Sequence, residues 1–228
     1  MTLVKLSDGD VTEVNEKKID WEVVNARKGY LFTKRCMDFM GALCGLILLS
    51  PLFLIIALII KYEDPKGTVF FKQIRVGKDG KEFHMYKFRS MVADAEERLK
   101  DLLQYNEVTG AMFKMKEDPR ITKIGKFIRR TSLDELPQLI NVLKGEMSLV
   151  GPRPPLPREV KEYTAYDKQR LLVIPGCTGL WQVSGRNNLG FKEMVQLDLQ
   201  YIEKGSILFD IFIIFKTVKE VFCSKEAY

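Results

Sequence analysis

The 228-residue chain is long enough for one well-buried domain but short for two independent ones. Its formal net charge of +6 favours an anionic partner such as lipid headgroups, a nucleotide sugar or nucleic acid. Nucleic acid is the least favoured, because the sequence has no helix-turn-helix, zinc or RNA-binding pattern. A single histidine, His84, argues against a His-ligated metal site and a Ser-His-Asp triad.

Four cysteines form no CxxC pair and lie in or near apolar context, which predicts reduced, buried thiols in a protein that faces the cytosol. Residues 1–33 form a polar N-terminal extension of mixed charge, so the apolar run that follows is not a cleavable signal peptide.

The apolar run, residues 39–60, would be roughly 33 Å long as one straight helix, enough to cross a ~30 Å hydrocarbon core. Ser50-Pro51 divides it into two limbs of about half a bilayer each, and the proline predicts a kink. The Ser50 hydroxyl could satisfy a backbone carbonyl that the proline frees. Basic residues flank both ends, and the positive-inside rule would keep both ends in the cytoplasm. We therefore predict a re-entrant membrane helix over residues 34–66, with a single-span anchor as the alternative.

For residues 67–228 the sequence predicts an α+β catalytic domain that is continuous with the anchor and faces the cytoplasm. Two β-rich runs, 68–76 and 82–88, are joined by Gly77-Lys78-Asp79-Gly80 and predict a hairpin. Residues 106–119 are loop-like. Helical patterns cover residues 91–105, 121–130, 136–143 (ending before Gly145), 158–171, 191–203 and 207–222. The last of these is apolar at 208, 211, 212, 215, 218 and 222, which suits a membrane-surface amphipathic helix and a core helix equally.

The adjacent pair Asp134-Glu135 is the most informative feature of the chain. A Ser132-x-x-Glu135 capping box is the ordinary interpretation, but it would put Pro137 past the first helical turn, where its ring and missing N–H are costly. We therefore predict that the pair lies in an extended turn just before a helix that starts near Leu136 or Pro137. The positive end of that helix would favour ionised carboxylates.

This arrangement suits phosphoryl chemistry. Asp134 could attack a phosphorus atom and form an acyl phosphate, while Glu135 could hold Mg²⁺ against the substrate's phosphates. Five basic residues stand shortly upstream: Arg120, Lys123, Lys126, Arg129 and Arg130. The arginines could neutralise phosphate oxygens, whereas the lysines fit a solvated or headgroup-facing helix better.

Three further motifs carry basic residues, and each has an ordinary alternative. Lys87-Phe88-Arg89-Ser90-Met91 follows the hairpin and fits a plain strand end. Arg153, held between prolines, could present its guanidinium to a phosphate or a uracil, or could lie in a rigid surface loop. Residues 176–188, with Trp181 and Arg186, could line a sugar or nucleotide pocket or pack Trp181 on the core.

Together these motifs resemble the bacterial sugar transferase family, the monotopic phosphoglycosyl transferases that act on polyprenyl phosphate. The similarity runs from Lys34 to about Phe222. Its motifs are KRCMD (34–38), the Ser-Pro break, KFRSM (87–91), DPRITKIGKFIRRTSLDELPQ (118–138), SLVGPRP (148–154) and PGCTGLWQVSGR (175–186). Many relatives have an additional N-terminal membrane domain, so we expect this chain to be the compact catalytic form.

The resemblance implies transfer of a sugar-1-phosphate, with glucose or galactose as the sugar, from a UDP-sugar to undecaprenyl phosphate. UMP would be released, and capsule, exopolysaccharide or O-antigen assembly would begin. Asp134 would be the nucleophile and Glu135 a Mg²⁺ ligand. The remaining site residues would bind phosphate or substrate, with Lys87 and Arg89 near the polyprenyl phosphate and Arg153 near the uridine: Lys87, Arg89, Arg120, Arg129, Arg153 and Arg186. The resemblance implies a monotopic protein on the inner leaflet of the bacterial cytoplasmic membrane.

Two other interpretations remain open from the sequence. A membrane-anchored basic binding module would explain the charge and the anchor, but not the adjacent carboxylates. A glycosyl transferase acting on a lipid diphosphate would release UDP in place of UMP. The identity of the sugar, the polysaccharide pathway, the role of residues 1–30 and the oligomeric state, including a homodimer, stay undetermined.

Overall fold

Helices and two small sheets make up the part of the chain that the computed structural model describes, residues 18–102, 115, 118–185 and 189–223. The α-helices are α1 (Trp21–Ala26), α2 (Lys28–Leu48), α3 (Ser50–Glu63), α4 (Ala95–Leu102), α5 (Lys123–Arg130), α6 (Gln138–Lys144), α7 (Pro157–Lys161), α8 (Phe191–Lys204) and α9 (Ile207–Cys223). The strands are β1 (Phe70–Val76), β2 (Glu82–Phe88), β3 (Ser148–Val150) and β4 (Gly176–Thr178). The predicted α+β class is confirmed.

The apolar run bends where the sequence predicts a kink. The axes of α2 and α3 differ by 60° at a break formed by Leu49. Pro51 lies in the first turn of α3, where its missing N–H costs no helical hydrogen bond. The Ser50 hydroxyl donates to the carbonyl of Ile47 at 2.8 Å. By length and composition, no single described helix could cross a membrane, whereas α2 and α3 together pass as a bent pair.

Three charged residues near the middle of α2 fasten it to the rest of the protein. Lys34 forms an ion pair of 3.1 Å with the buried Asp210 of α9. Arg35 donates to the carbonyls of Val142 and Leu143, in the last turn of α6, at 2.7 and 2.8 Å, which satisfies groups that a helix end leaves unpaired. Asp38 accepts the backbone N–H of Leu149 at 2.9 Å. The KRCMD motif therefore docks α2 against the rest of the protein, and the boundary predicted at residue 33 falls inside α2.

The predicted hairpin is present. β1 and β2 pair antiparallel, from Phe70 opposite Phe88 to Val76 opposite Glu82. The connection contains Asp79 at φ 56° and Gly80 at φ 77°, so both residues of the turn have the left-handed conformation that a tight turn of this kind requires.

The sequence did not predict the second sheet or the break in one helix. β3 and β4 pair in parallel, with Ser148 opposite Gly176. The helix predicted over residues 158–171 is instead α7 and a separate 3₁₀ segment, Asp167–Leu172. Of the helix predicted over 91–105, the structure describes α4, and most of the predicted loop 106–119 lies outside the described residues.

Cys36 and Cys44 are exposed on α2, so the prediction of buried thiols is wrong for these two residues. Cys177 is partly buried and also free.

α9 turns an apolar stripe away from the protein. Leu208 is 81% exposed and Phe215 is 70% exposed, and Ile211, Phe212 and Val218 are exposed beside them. Its buried face contains Asp210 and Ile213. The stripe identified in the sequence is therefore not a core face, which favours the interfacial interpretation of this helix.

Candidate active site

The acidic pair lies in a short helical turn, not in the extended turn predicted from the sequence. Leu133–Glu135 form a 3₁₀ turn, which the chain enters through Ser132 at φ 57°. Pro137 then provides the N-cap position of α6. Ser132 makes no side-chain cap hydrogen bond, so the capping box is absent as expected.

Two leucines explain why the turn is helical. Leu133 and Leu136 pack in an apolar cluster with Ile56 and Ile60 of α3 and with Phe88 of β2. Burying two side chains that are three positions apart requires a helical turn between them. Leu136 accordingly has φ −52° and ψ −36°, although a residue before proline prefers an extended backbone. The acidic pair is thereby fixed between the end of β2 and α3.

Asp134 lies in an environment that resists its ionisation. The residue is only 9% exposed. Burial raises its pKa, and the neighbouring carboxylate of Glu135 adds to the rise. Lys87 and Arg129 oppose these two effects, and the net result is a pKa of about 6. The sequence predicted ionised forms for both carboxylates; the net shift of the Asp134 pKa is upward, opposite to that expectation, whereas the pKa of Glu135 is lowered in agreement with it. At pH 7 roughly nine in ten Asp134 side chains are still ionised, and the carboxylate is poorly compensated.

Glu135 is held in its charged form. The Lys87 ammonium donates to Glu135 Oε1 at 2.6 Å. Burial alone would raise the pKa of Glu135, but Lys87, with Arg153 and Arg75 beyond it, holds that pKa below its usual range. The pKa values of two adjacent carboxylates are thus shifted in opposite directions, a pattern typical of pairs with different chemical roles.

Two arginines supply positive charge around the pair. Arg129, in the last turn of α5, donates from Nε to Ser90 Oγ at 2.8 Å and lowers the pKa of Asp134. Arg153 acts on Glu135 in the same sense and makes no hydrogen bond to any described residue. The structure thus brings together Asp134, Glu135, Lys87, Arg129 and Arg153.

The other predicted basic residues have different partners or lie elsewhere. Arg89 pairs with Asp64 at the end of α3, at 2.9 Å, and is 8% exposed. Arg120 pairs with Asp118 at 2.7 Å and is 6% exposed. Both guanidiniums have the geometry of structural ion pairs. Arg186 lies outside the described residues.

Arg75 and Asn141 support the site but were not identified from the sequence. Arg75 is buried on β1 and donates to the carbonyl of Pro154, next to Arg153, at 3.0 Å. Strand alternation, which puts Gln73 and Arg75 on one face, was the available signal.

Asn141 of α6 is fully buried and covers the free edge of β2. It donates to the His84 carbonyl at 2.7 Å and accepts from the Tyr86 N–H at 3.0 Å. Its amide therefore takes the place of a neighbouring strand. Its only signal in the sequence was a polar residue inside an apolar helix.

The acidic pair offers carboxylate ligands to Mg²⁺ but does not form a complete metal site. Among the described residues no group of three or more His, Cys, Asp or Glu side chains could hold a metal ion. Mg²⁺, however, is commonly bound by one or two carboxylates, with water and substrate phosphates completing its shell. Asp134 and Glu135 offer such a donor set, and the charged state of Glu135 suits it.

Comparison with protein families identifies the chain's relationship. Residues 29–224 match the family described as bacterial sugar transferase. The chain belongs to the bacterial sugar transferase family. This confirms the resemblance drawn from the motifs, because the match covers the bent pair α2 and α3, the acidic pair and α9.

Curated members of the sugar transferase family resemble this chain over most of its length. It is 53% identical over 193 residues to the galactosyl transferase CpsE of Streptococcus agalactiae, covering 84% of this chain and 42% of that protein. It is 46% identical over 207 residues to the undecaprenyl-phosphate galactose phosphotransferase of Salmonella typhimurium, covering 89% and 43%. It is 41% identical over 199 residues to the exopolysaccharide production protein ExoY of Rhizobium meliloti, covering 86% and 88%. The chain thus spans less than half of the first two proteins and most of the third.

Proposed function

We propose that this protein transfers a sugar-1-phosphate from a UDP-sugar to undecaprenyl phosphate and releases UMP. Membership of the sugar transferase family supports this reaction class, and the names of two relatives mention galactose. The observation that carries the proposal is the buried, poorly compensated Asp134 beside a charged Glu135 and three basic side chains. A hexose, either galactose or glucose, is the sugar we propose to test first.

In the first step, a carboxylate oxygen of Asp134 attacks the phosphorus that carries the sugar. A bond from that oxygen to phosphorus forms, the bond to the oxygen bridging the two phosphates breaks, and UMP leaves with the electron pair. Burial makes the Asp134 carboxylate a stronger nucleophile, because it is less stabilised than a solvated one. The product is a phosphosugar attached to the enzyme as an acyl phosphate.

In the second step, a phosphate oxygen of undecaprenyl phosphate attacks the same phosphorus. The acyl phosphate bond breaks, the Asp134 carboxylate is restored, and a lipid-linked sugar diphosphate is formed. Lys87 and Arg129, which both lower the pKa of Asp134, would stabilise the negative charge that develops on the phosphoryl oxygens in both steps. Glu135 would hold Mg²⁺, which when bound neutralises charge on the substrate's phosphates.

We further propose that α2 and α3 form a re-entrant hairpin in the inner leaflet of the cytoplasmic membrane. The 60° bend and the exposed apolar side chains of both helices support this, among them Leu48 at 77% and Leu58 at 61%. The exposed stripe of α9 would lie on the membrane surface. Since Leu133 and Leu136 pack on α3, the acidic pair would lie where a lipid phosphate can reach it.

UMP release tests the reaction. Purified protein in detergent, with Mg²⁺ and undecaprenyl phosphate, is given a panel of UDP-sugars, and nucleotide products are separated. We expect UMP with one donor, its loss in Asp134→Asn, and its retention in Asp94→Asn, a surface carboxylate paired with Arg98. UDP as the product would show glycosyl transfer, and no nucleotide from a folded protein would favour a binding module; either result would overturn the proposal.

Cysteine labelling tests the topology. With all four native cysteines, Cys36, Cys44, Cys177 and Cys223, replaced by alanine, single cysteines at positions 29 and 66 are treated with an impermeant maleimide in vesicles of each orientation. We expect both positions to react from the cytoplasmic side. Reaction from opposite sides would show a spanning helix and refute the re-entrant proposal.

A further inference from the structure

Arg75 differs from the other buried arginines in having no carboxylate partner within the described part of the chain. Arg89, Arg120 and Arg170 each form a short ion pair: with Asp64 at 2.9 Å, with Asp118 at 2.7 Å and with Asp198 at 2.6 Å. Arg75 is just as buried, at 6% exposure, yet no described carboxylate lies within ion-pairing distance of it. A buried cation without a counter-charge is costly to the fold, so the unpaired charge calls for an explanation.

The contacts of Arg75 are all to neutral oxygens. Its Nη1 donates to the Pro154 carbonyl at 3.0 Å, and its Nε and Nη2 donate to Gln73 Oε1 at 3.1 and 2.6 Å. A guanidinium has five N–H groups, so two remain after these three hydrogen bonds. The side chain is therefore oriented by Pro154 and Gln73, while two of its N–H groups and its positive charge are available to bind an anion.

A second arginine, Arg153, lies on the loop that contains Pro154, the acceptor of the Arg75 Nη1 hydrogen bond. Arg153 precedes Pro154, and the Pro155 carbonyl accepts the Val76 N–H of β1 at 2.9 Å, which holds this loop against the strand that bears Arg75. Burial, and then repulsion by Arg153, lowers the pKa of Arg75 to about 10. Two like charges are thus held close together, and Arg153 has no hydrogen-bond partner among the described residues.

The nearest carboxylates do not compensate the two arginines. Glu135 and Glu159 act on Arg75 only at a distance. Glu135 is engaged by Lys87 at 2.6 Å, and Glu159 accepts the Leu156 N–H at the start of its own helix at 2.8 Å. A concentration of positive charge therefore lies on the Glu135 side of the acidic pair.

We propose that Arg75 and Arg153 form an anion subsite that binds the phosphate leaving with the nucleoside. A phosphate dianion there would provide the missing counter-charge and relieve the repulsion between the two arginines. Arg153 would bind it directly, and Arg75 would contribute its remaining N–H groups and hold the loop that carries Arg153. The identity of this phosphate rests on the proposed function, whereas the anion subsite itself does not.

Binding measurements on the full chain test the subsite. Affinities for inorganic pyrophosphate, UMP and uridine are measured calorimetrically in detergent without added metal, for the wild type, Arg75→Gln and Arg75→Lys. Arg98→Gln, which changes a surface arginine, is the matched control. We expect Arg75→Gln to weaken pyrophosphate and UMP about tenfold or more, and to leave uridine unchanged, since only the charged ligands use the subsite. Arg75→Lys should fall between, and Arg98→Gln should match the wild type.

Several outcomes would overturn the subsite: no pyrophosphate binding by the wild type, unchanged pyrophosphate binding in Arg75→Gln, or an equal loss for UMP and uridine. The last result would mean that Arg75 only shapes the loop. Thermal unfolding of each variant separates misfolding from lost binding, and Arg75→Lys keeps the charge if Arg75→Gln does not fold. Pyrophosphate binding that depends on Arg75, together with no binding of UMP or uridine by the wild type, would support the subsite and refute the proposed nucleotide donor.

Discussion

Replacing Asp134 by asparagine should abolish transfer and, at the same time, stabilise the folded protein. The folded protein binds a proton on Asp134 more tightly than the unfolded chain does, because burial raises the pKa from 3.8 to about 6. Stability therefore falls as pH rises between these two values, and the loss is complete above about pH 6. At 1.36 kcal/mol per pH unit, the loss is about 3 kcal/mol.

Asparagine keeps the size of the side chain and removes the charge. Allowing for changed hydrogen bonds, we expect Asp134→Asn to gain about 1–3 kcal/mol at pH 8, or roughly 3–10 °C in melting temperature for a chain of this size. Near pH 4 the wild-type carboxyl is itself protonated, so the gain should disappear. Thermal unfolding in detergent, followed by circular dichroism at both pH values, measures it.

Two further carboxylate variants serve as controls. Asp94→Asn, on the surface, should shift the melting temperature by less than about 2 °C. Glu135→Gln should lower it, because the ion pair with Lys87 favours the charged carboxylate. An Asp134→Asn protein that melts at or below the wild-type temperature at pH 8, or gains equally at both pH values, would refute the reasoning.

Three other predictions follow from single contacts. The kcat/KM should fall about tenfold from pH 7 to pH 5 as Asp134 becomes protonated; a flat profile would contradict its role as nucleophile. Asn141→Ala leaves two backbone groups of β2 unpaired and should cost about 3 kcal/mol in denaturant unfolding, where a loss under about 0.5 kcal/mol would be contrary evidence. Gly67→Ala would place a methyl group 1.2 Å from Arg89 Nη1 and should lower the melting temperature by several degrees. Gly29→Ala, with no atom nearby, should not, and equal melting of the two variants would argue against the clash.

Much of the chain's local structure could be predicted from short stretches of sequence. The Ser50-Pro51 break, the Gly77–Gly80 connection and the stop at Gly145 follow from the properties of proline and glycine, which act on their immediate neighbours. The apolar stripe of α9 was equally visible, but periodicity alone could not show whether it faces protein or lipid. Its exposure became clear only from the fold.

The environment of the acidic pair depends on contacts between residues that are distant in the sequence. Asp134 and Glu135 were identifiable as chemistry-bearing residues, and Lys87 as a basic residue near a strand end. The ion pair between Lys87 and Glu135 joins residues 48 positions apart, which no local pattern encodes. The helical turn of the pair also depends on the burial of Leu133 and Leu136 against α3, so a preference of the residue before proline was overridden.

What the sequence alone determined was thus the family, from motifs spread along the chain, and the bend between α2 and α3 and the hairpin, because each of these two depends on residues close together in the chain. Tertiary structure decided the charge state of Asp134 and Glu135, the pairing of β3 with β4 and the lack of an ion pair between Arg75 and any described carboxylate. The physical reason is that a pKa and an ion pair depend on which distant groups fold against a side chain, and folding, not spacing, selects those groups.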